Sequence, residues 1–379
     1  MILVYCIDSI NGIGGIQHAT LMKARALAEI NQNSVWIVFA DDSGKLCFHL
    51  SANVKTINLG INYYKDDWKS PWRVLKGILI KRRKHRFALK KVLTEIQPDV
   101  VISVGQSEKN LVPSIRGKWV TVREFHFVRN YRTLHARSFF DRILAWGGDC
   151  LDRVVLKRYD RIVTLTQEDK EKNWRGWNNV YVIPNPVQPS AVKSSLTSKR
   201  LLAIGRLVYQ KNFSSLIRAF SIVVKRFPEW SLDIVGEGEE RRALSSLIKS
   251  LNLYDFVHLV GEQSDIIHKL PNYSLFVQSS RFEGFSLVLI EAMLGGLPVI
   301  SYACPCGPKD IIRDGIDGFL IPQGDEASLA ERICQLIEDE TLRRKMGAAA
   351  QERAKEFSLE KVIPMWTSLF EELVKEKKK

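Results

Sequence analysis

The chain has 379 residues, more than a single ordinary core holds, and this length favours two domains. Hydrophobic residues make up 45% of the chain and charged residues 26%, which leaves ample material for a soluble globular core. No apolar run approaches the roughly 20 residues of a membrane-spanning helix, and residues 1–7 lack the basic region and cleavage site of a signal peptide.

The net charge of +14 is unevenly distributed. Residues 1–185 contain 30 Lys and Arg against 17 Asp and Glu, whereas residues 186–379 contain 26 against 25. An excess confined to the first half indicates that one domain meets an anionic surface or ligand, either lipid headgroups or nucleic acid.

Six cysteines are scattered along the chain: Cys6, Cys47, Cys150, Cys304, Cys306 and Cys334. They form no Cys-x-x-Cys pair, and Cys304 and Cys306 are too isolated for a metal site. We therefore expect a reduced cytosolic protein without structural zinc.

The chain opens with a short apolar run at residues 2–8, which is typical of a buried strand. A glycine-rich turn leads from it into a predicted helix at 18–30, the arrangement that holds phosphate in doubly wound folds. The dinucleotide-binding fingerprint is not met, because Gly12, Gly14 and Gly15 have the wrong spacing. A tight turn that binds no ligand is the alternative.

Residues 35–40 form the next predicted strand, and from residue 62 the chain becomes basic and aromatic. The run Lys-Arg-Arg-Lys-His-Arg at 81–86 follows Trp68 and Trp72. One interpretation is a solvated helix face. The charge bias of the whole half favours a patch that binds an anionic membrane surface. Because no RNA- or DNA-binding motif accompanies the run, we expect no nucleic-acid partner.

Residues 119–127 form another predicted strand, whose end carries Glu124 and His126. Ligands bind at the carboxyl ends of strands in open α/β sheets, so this edge is a candidate binding site. A surface histidine without a role is the alternative.

The domain boundary is predicted at residues 180–187, where two prolines within three residues interrupt regular structure. The Ser- and Lys-rich segment that follows is typical of a linker. These features predict an N-terminal domain at residues 1–185 and a C-terminal domain at residues 186–360, followed by an amphipathic segment at 361–379.

A second series of strands and helices begins with the strand at 201–207, which has Gly205 and Arg206 near its end. Lys211 lies five positions beyond Arg206. Two cations beside a strand end suit a diphosphate, whose charge they would neutralise as a glycosidic bond breaks. Solvated surface charges are the alternative.

The segment 281–300 places Glu283 and Glu291 eight positions apart. A Gly-Phe-Ser turn, with Ser286 as the expected N-cap, leads into a buried helix. A helix N-terminus binds phosphate, and a flanking carboxylate accepts hydrogen bonds from sugar hydroxyls. The segment therefore suits a sugar diphosphate, with the sugar at Glu283 and a ribose at Glu291. Two solvated helix charges are the alternative.

The Glu-x7-Glu motif in the setting Phe-Glu-Gly-Phe-Ser…Glu-Ala-Met resembles the signature of the retaining nucleotide-sugar glycosyltransferases of family 4. The resemblance covers the chain, most closely from 200 to 325, and departs at Asp310, where the family commonly carries Glu. It implies the α/β GT-B fold, in which two Rossmann-like doubly wound domains face each other across a cleft. The donor then lies mainly on the second domain and the acceptor on the first, and the final helix packs back on the first.

The positions that match the motifs of family 4 indicate which residues form the site. The resemblance implies that Arg206 and Lys211, in Gly-Arg-Leu-x3-Lys-Asn, bind the donor diphosphate. It implies that Glu283 orients the sugar, that Glu291 binds the ribose, and that His126 lies beside the sugar. The other positions that it places against substrate are Gly14, Gly15, Gly205, Gly236, Gly261, Phe285, Ser286 and Leu287.

The function that the resemblance implies is transfer of a hexose or N-acetylhexosamine from a nucleoside-diphosphate sugar, favouring a UDP-sugar. The anomeric configuration is retained, and no metal or other cofactor is expected. The expected acceptor is a lipid-linked saccharide in the synthesis of a cell-surface polysaccharide such as lipopolysaccharide or capsule, at the inner face of the cell membrane. Alternatives are a GT-B nucleotide-sugar epimerase, a phosphorylase, and a non-catalytic protein that binds a sugar nucleotide or a membrane.

Overall fold

The computed structural model of this chain describes residues 1–10, 14–30, 33–41, 52–63, 71–136, 138–188, 192–263 and 266–378, with the backbone alone for 71–76. Gly12, Cys47 and Trp68 lie outside the described residues, as does the side chain of Trp72.

The chain divides into two compact units. The first contains Met1–Thr164, Trp174–Pro186 and Val362–Lys379, and the second contains Leu165–Asn173 and Val187–Lys361. Residues 165–173, which the sequence-based division assigns to the first domain, thus belong to the second unit.

A parallel sheet forms the centre of the first unit. Its strands are β1 (Ile2–Ile7), β2 (Ser34–Phe39), β3 (Val54–Asn58), β4 (Val100–Ser103), β5 (Val120–Glu124), β6 (Arg161–Thr164) and β7 (Val180–Val182). They pair in the order β3-β2-β1-β4-β5-β6-β7. All residues of β4 are buried, because helices cover both faces of a parallel sheet and each strand becomes a continuous apolar run.

The helices of this unit are α1 (Gly15–Glu29), α2 (Pro71–Ile96), α3 (Tyr131–His135), α4 (Phe139–Leu156) and most of α12 (Leu359–Lys378). Leu89 and Leu93 of α2 pack into the core beside β1 and β4. The end of α12 is held on the sheet by a hydrogen bond that Lys377 donates to the carbonyl of Trp119, and by an ion pair of 2.7 Å between Arg161 and Glu376.

The second unit is built on a second parallel sheet. Its strands are β8 (Arg200–Ile204), β9 (Ser231–Val235), β10 (Val257–Gly261), β11 (Leu275–Gln278), β12 (Val299–Tyr302) and β13 (Gly318–Ile321). Their order is β10-β9-β8-β11-β12-β13. Its helices are α5 (Gln167–Asn173), α6 (Phe213–Arg226), α7 (Arg241–Ser250), α8 (Leu287–Leu294), α9 (Pro308–Ile311), α10 (Glu326–Glu338) and α11 (Glu340–Ala354).

Two apolar clusters enclose the second sheet. Side chains of α6 and α10, such as Phe220 and Ile333, form one of them. Side chains of α8 and α11, such as Ile290 and Ala350, form the other. The prediction of two Rossmann-like α/β domains is therefore confirmed.

Both strand orders reverse direction at one place, between β1 and β4 in the first unit and between β8 and β11 in the second. Ligands of open α/β sheets bind outside the carboxyl ends of the strands at such a switch point. Gly205 and Arg206 follow β8, and the loop that carries Glu283 follows β11. In the described part of the chain, no helix is both long enough and apolar enough to span a membrane.

Candidate active site

Glu283 occupies the switch point of the second unit. Its carboxylate is buried, and its Oε1 accepts hydrogen bonds from Lys211 Nζ at 2.7 Å and from Ser280 Oγ at 2.6 Å. Its backbone N–H donates to the carbonyl of Pro305 at 3.1 Å. Backbone and side chain are both fixed, so the carboxylate has one orientation before any ligand arrives.

Lys211 reaches Glu283 from a tight turn after β8. Its backbone N–H donates to the Val208 carbonyl at 2.9 Å, and its own carbonyl accepts from Ser279 Oγ at 2.9 Å. Its aliphatic stem lies against Gly205, where an added Cβ would come within 2.9 Å of Lys211 Cε. A side chain at position 205 would therefore displace the lysine.

The other predicted cation, Arg206, is exposed at the end of β8. The two predicted cations thus differ in their surroundings: Lys211 forms an ion pair with Glu283, whereas Arg206 is exposed to solvent. An exposed guanidinium at a strand end can bind a phosphate in bidentate geometry.

Gly236 and Gly261 follow β9 and end β10, and backbone packing explains both. An added Cβ at Gly236 would lie 2.0 Å from the carbonyl oxygen of Gly205, so only glycine allows these two loops to approach. The N–H of Gly236 donates to the Gly261 carbonyl at 2.8 Å, and Gly261 has a φ of +86°. Their predicted contact with substrate remains a prediction.

The N-terminus of α8 is open, and the expectation that Ser286 caps it is wrong. Ser286 is in the left-handed region with a φ of 69°, and its hydroxyl donates to Gln278 Oε1 rather than accepting from the helix. The first N–H groups of a helix have no partner inside the helix, so those of Leu287 and Val288 can meet an anion, whereas the Leu289 N–H already donates to the Ser286 carbonyl at 3.2 Å. Phe285, just before, is buried against Phe357 with ring centroids 5.6 Å apart.

Gly307 is a residue of this site that the sequence interpretation missed. It has a φ of +104°, and an added Cβ would lie 2.9 Å from the Phe285 carbonyl oxygen and 3.4 Å from Glu283 Cβ. The Cys-Gly-Pro turn is visible in the sequence, but its packing against Glu283 requires the fold. Asp310, in α9, accepts a hydrogen bond of 2.6 Å from the Gln167 N–H at the start of α5, which gives this departure from the family a structural role.

Glu291 lies on α8, one turn beyond Leu287. It is half-buried, and burial raises its pKa from the ordinary 4.5 to about 7. A neutral carboxyl at this position both donates and accepts hydrogen bonds, which suits a ribose hydroxyl pair.

Replacing Glu291 by Gln should flatten the pH dependence of stability. A carboxyl that keeps its proton longer in the folded state stabilises the fold at low pH, and this contribution is lost as pH rises from 4.5 to about 7. We expect the Tm of the wild-type protein to fall more between about pH 5 and about pH 8 than that of Glu291→Gln. Thermal unfolding of the ligand-free proteins measures this, and equal falls in both would contradict it.

In the first unit, His126 belongs to a buried charged cluster. Glu124 forms an ion pair with Lys23, and both side chains are fully buried. His126 Nε2 lies 3.1 Å from Glu124 Oε1, and His126 Nδ1 lies 3.4 Å from the Asn185 amide nitrogen. Burial, together with the charges of Lys23 and Arg123, holds the pKa of His126 well below its usual range, so the ring is neutral at pH 7. Lys23 was missed, although a lysine on an apolar helix face is a visible signal.

Gly14 is the N-cap of α1 and Gly15 is its first residue. The Gly14 carbonyl accepts the first helical hydrogen bond from the His18 N–H at 3.1 Å, and no side chain caps the helix. Its first N–H groups are therefore available to an anion or a hydroxyl.

A cavity of about 310 Å³ lies at the carboxyl ends of β1, β2 and β4 in the same unit. Asp8 and Asp41 line it, with Tyr63, Arg82 and Asn110 around them. Asp8 is fixed by the N–H groups of the loop after β4, at 2.9 and 2.8 Å. Two carboxylates and a guanidinium in one cavity offer hydrogen bonds to a polyhydroxylated ligand.

Residues 187–353 match the family described as Glycosyl transferases group 1. The matched region contains Arg206, Lys211, Glu283 and Glu291, that is, every charged residue assigned above to the donor site. The part of the chain built around that site is therefore similar to group 1 glycosyltransferases.

Curated relatives match a similar stretch. The chain is 36% identical over 221 residues to the exopolysaccharide phosphotransferase SCO2592 of Streptomyces coelicolor, a match covering 57% of this chain and 24% of the relative. It is 33% identical over 221 residues to the amylovoran biosynthesis glycosyltransferase AmsD of Erwinia amylovora, covering 55% of this chain and 62% of the relative. The chain thus spans between a quarter and three fifths of the length of these relatives.

Among solved structures, the S. aureus TarM complex with Fondaparinux, alpha-GlcNAc-glycerol and UDP superposes with a TM-score of 0.79. The match covers 97% of this chain and 99% of that chain, at 17% sequence identity. Similarity at this identity shows the fold alone, and the fold is that of the GT-B glycosyltransferases, as predicted.

Proposed function

We propose that this protein is a retaining glycosyltransferase that moves a hexose or N-acetylhexosamine from a UDP-sugar to a lipid-linked saccharide in cell-surface polysaccharide synthesis. The observation that carries the proposal is the ion pair between Lys211 and the buried carboxylate of Glu283, beside the uncapped N-terminus of α8 and inside the region that matches group 1 glycosyltransferases. In this proposal residues 186–360 hold the donor, and residues 1–185 with the final helix hold the acceptor.

Three sets of groups would stabilise the negative charge that develops on the leaving diphosphate. Lys211 and Arg206 supply cations, and the first N–H groups of α8, around Phe285, Ser286 and Leu287, supply aligned donors. Because Lys211 and the backbone N–H groups are fixed before the bond breaks, they would stabilise the separating charge without reorganisation. Cations and backbone donors suffice for this role, so we propose a metal-independent reaction.

Glu283 would orient the sugar rather than attack it. Its Oε1 already accepts hydrogen bonds from Lys211 and Ser280, which lowers its nucleophilicity and leaves Oε2 for a sugar hydroxyl. Attack by the acceptor on the face that the leaving group vacates then retains the configuration. Glu291 would bind the ribose, and the neutral ring of His126 would contact the sugar or the departing oxygen.

Support for the donor and the pathway comes from the proteins that this chain resembles. The TarM complex contains UDP, and AmsD is named for the synthesis of amylovoran. For the acceptor, the cavity at Asp8 and Asp41 suits saccharide hydroxyls. The charge of +13 in the first half, with exposed Arg83, Lys84 and Arg86 on α2, favours an anionic membrane at the cytoplasmic face as the acceptor's location.

The test is turnover of a panel of UDP- and GDP-sugars with undecaprenyl-diphosphate-linked saccharides as acceptors, followed by NMR of the product. We expect one UDP-sugar to be consumed, UDP to be released, and the new linkage to keep the donor's anomeric configuration. Inversion of configuration would contradict retention. Conversion of the UDP-sugar to its epimer, with no net release of UDP, would favour the epimerase, and donor binding without turnover would favour the non-catalytic protein.

A further inference from the structure

Helix α4 has its apolar face turned to solvent. Seven large apolar side chains on this helix are exposed: Phe139 (74%), Phe140 (76%), Ile143 (49%), Leu144 (75%), Trp146 (69%), Leu151 (72%) and Val154 (57%). At 100° per residue these seven positions fall within an arc of roughly 160°, so they form one continuous stripe. A helix of a globular protein normally buries such a stripe against the core.

The opposite face of α4 attaches the helix to the first unit through charges. Asp152 forms ion pairs with Lys109 at 2.6 Å and with Arg132 at 2.9 Å. Arg132 also lies 3.4 Å from Asp149, and Ala145 and Leu156 are buried beneath the helix. The polar face therefore points inward and is paired, so the exposed stripe does not result from an unattached helix.

The start of α4 is equally well defined. The Ser138 hydroxyl accepts from the Asp141 N–H at 3.1 Å, and the Asp141 carboxylate accepts from the Ser138 N–H at 3.0 Å, which completes a capping box. The capping box therefore fixes the start of a helix whose apolar stripe faces outward. An exposed apolar stripe of this extent marks an interaction surface.

We propose that α4 lies in the surface of an anionic membrane, with the stripe from Phe139 to Val154 among the acyl chains. Phenylalanine, tryptophan and leucine on one face are the composition of helices that bind in the plane of a bilayer. Arg142 and Arg153 lie along one edge of the stripe, Lys157 and Arg158 follow the helix, and all four are exposed. These cations and the +13 charge of the first half complement anionic lipid.

The reason for membrane binding by α4 rests on the proposed function, whereas the exposed stripe itself does not. A saccharide carried on a lipid stays at the bilayer surface, so the unit that receives it must dock there. Basic charge alone would hold the protein near the headgroups, whereas the α4 stripe would fix the depth and orientation of the first unit.

The first test is flotation with vesicles of phosphatidylcholine, with and without phosphatidylglycerol. We expect the full chain to float with the anionic vesicles. The affinity of the Leu144→Asp/Leu151→Asp variant for these vesicles should fall by about tenfold or more. The matched control is Ile222→Asp/Tyr254→Asp, which changes two exposed apolar residues of the second unit and should bind as the wild type does. Equal binding by both variants would overturn the proposal.

The second test reports insertion directly. Cys150 is exposed on the same stripe, whereas Cys6, Cys304, Cys306 and Cys334 are buried. An environment-sensitive fluorophore on Cys150, in a chain carrying Cys47→Ser, should shift to the blue with anionic vesicles and be quenched by quenchers attached to the acyl chains. No shift, or quenching by water-soluble quenchers alone, would overturn insertion.

Two further outcomes have distinct meanings. If the chain is a dimer that Leu144→Asp/Leu151→Asp converts to a monomer, and vesicles are not bound, the stripe is a contact between copies and the proposal is wrong. Turnover of the UDP-sugar with a water-soluble saccharide acceptor should be unchanged in this variant. Vesicle binding by a protein that turns over no sugar nucleotide would support the membrane role of α4 while contradicting the proposed function.

Discussion

Replacement of Glu283 by Gln is expected to lower kcat by about a hundred- to a thousandfold while leaving the fold intact. Gln has the same shape, so the contacts with Ser280 and with the turn at Gly307 can persist. The charge is lost, however, and with it the ion pair that holds Lys211 Nζ at 2.7 Å. Sugar orientation and the position of the leaving-group cation should therefore fail together.

The measurement is steady-state transfer from the donor identified by the panel, with thermal unfolding and donor binding recorded for the same preparations. Glu331→Gln is the matched control, because Glu331 is an exposed glutamate on α10 in the same unit. We expect this control to keep wild-type activity. Full activity in Glu283→Gln, with its Tm unchanged, would remove Glu283 from the reaction.

The sequence places the candidate donor site at strand ends because parallel strands leave local signals in the sequence. The apolar runs that became β8 and β11 are each followed by polar residues, and parallel strands bring their carboxyl ends to one edge of the sheet. The assignment of Lys211 and Glu283 to one candidate site rests on the chemistry of a sugar diphosphate and on the resemblance to family 4, and the strand order explains why the two side chains meet. Their hydrogen bond, across 72 positions of sequence, depends on the switch point between these two strands.

Other features depend on contacts that no local pattern encodes. The Lys23–Glu124 pair joins residues 101 positions apart, and although a lysine on an apolar helix face is visible in the sequence, its partner is not apparent until α1 is placed on β5. Ser286 has a favoured capping residue type, but its left-handed backbone turns the hydroxyl to Gln278. Capping preference assumes an extended N-cap conformation, and the turn before α8 does not provide one.

Helix α4 shows that the sequence can predict an apolar helix face without predicting the direction in which that face points. Its amphipathic pattern predicts a helix with one apolar face, and such a face ordinarily indicates burial. The direction of that face is set by Lys109 and Arg132, which bind the aspartates on the opposite side. The segment from Arg129 to Arg153 is basic and aromatic in the sequence, but the outward stripe is a property of the tertiary structure.

Replacement of Lys211 by Met should lower kcat/KM by about a hundred- to a thousandfold, because the cation acts on both partners of the site. In the free protein it neutralises the buried carboxylate of Glu283, and in the reaction it would meet the charge that develops on the diphosphate. Methionine keeps most of the stem that packs against Gly205, so the loss should come from the charge. The control is Lys225→Met, which changes an exposed lysine on α6 and should leave kcat/KM unchanged.

The double variant Glu283→Gln/Lys211→Met separates a coupled pair from two independent contributors. If the ammonium and the carboxylate act as one unit, removing the second partner costs little once the first is gone, and the double variant should be no more than about tenfold slower than the slower single variant. Independent roles would instead multiply the two losses. Since Lys211 Nζ and Ser280 Oγ both donate to Oε1 of Glu283, we expect the coupled result. A multiplicative loss in kcat/KM would show that Lys211 acts on the diphosphate without the help of Glu283.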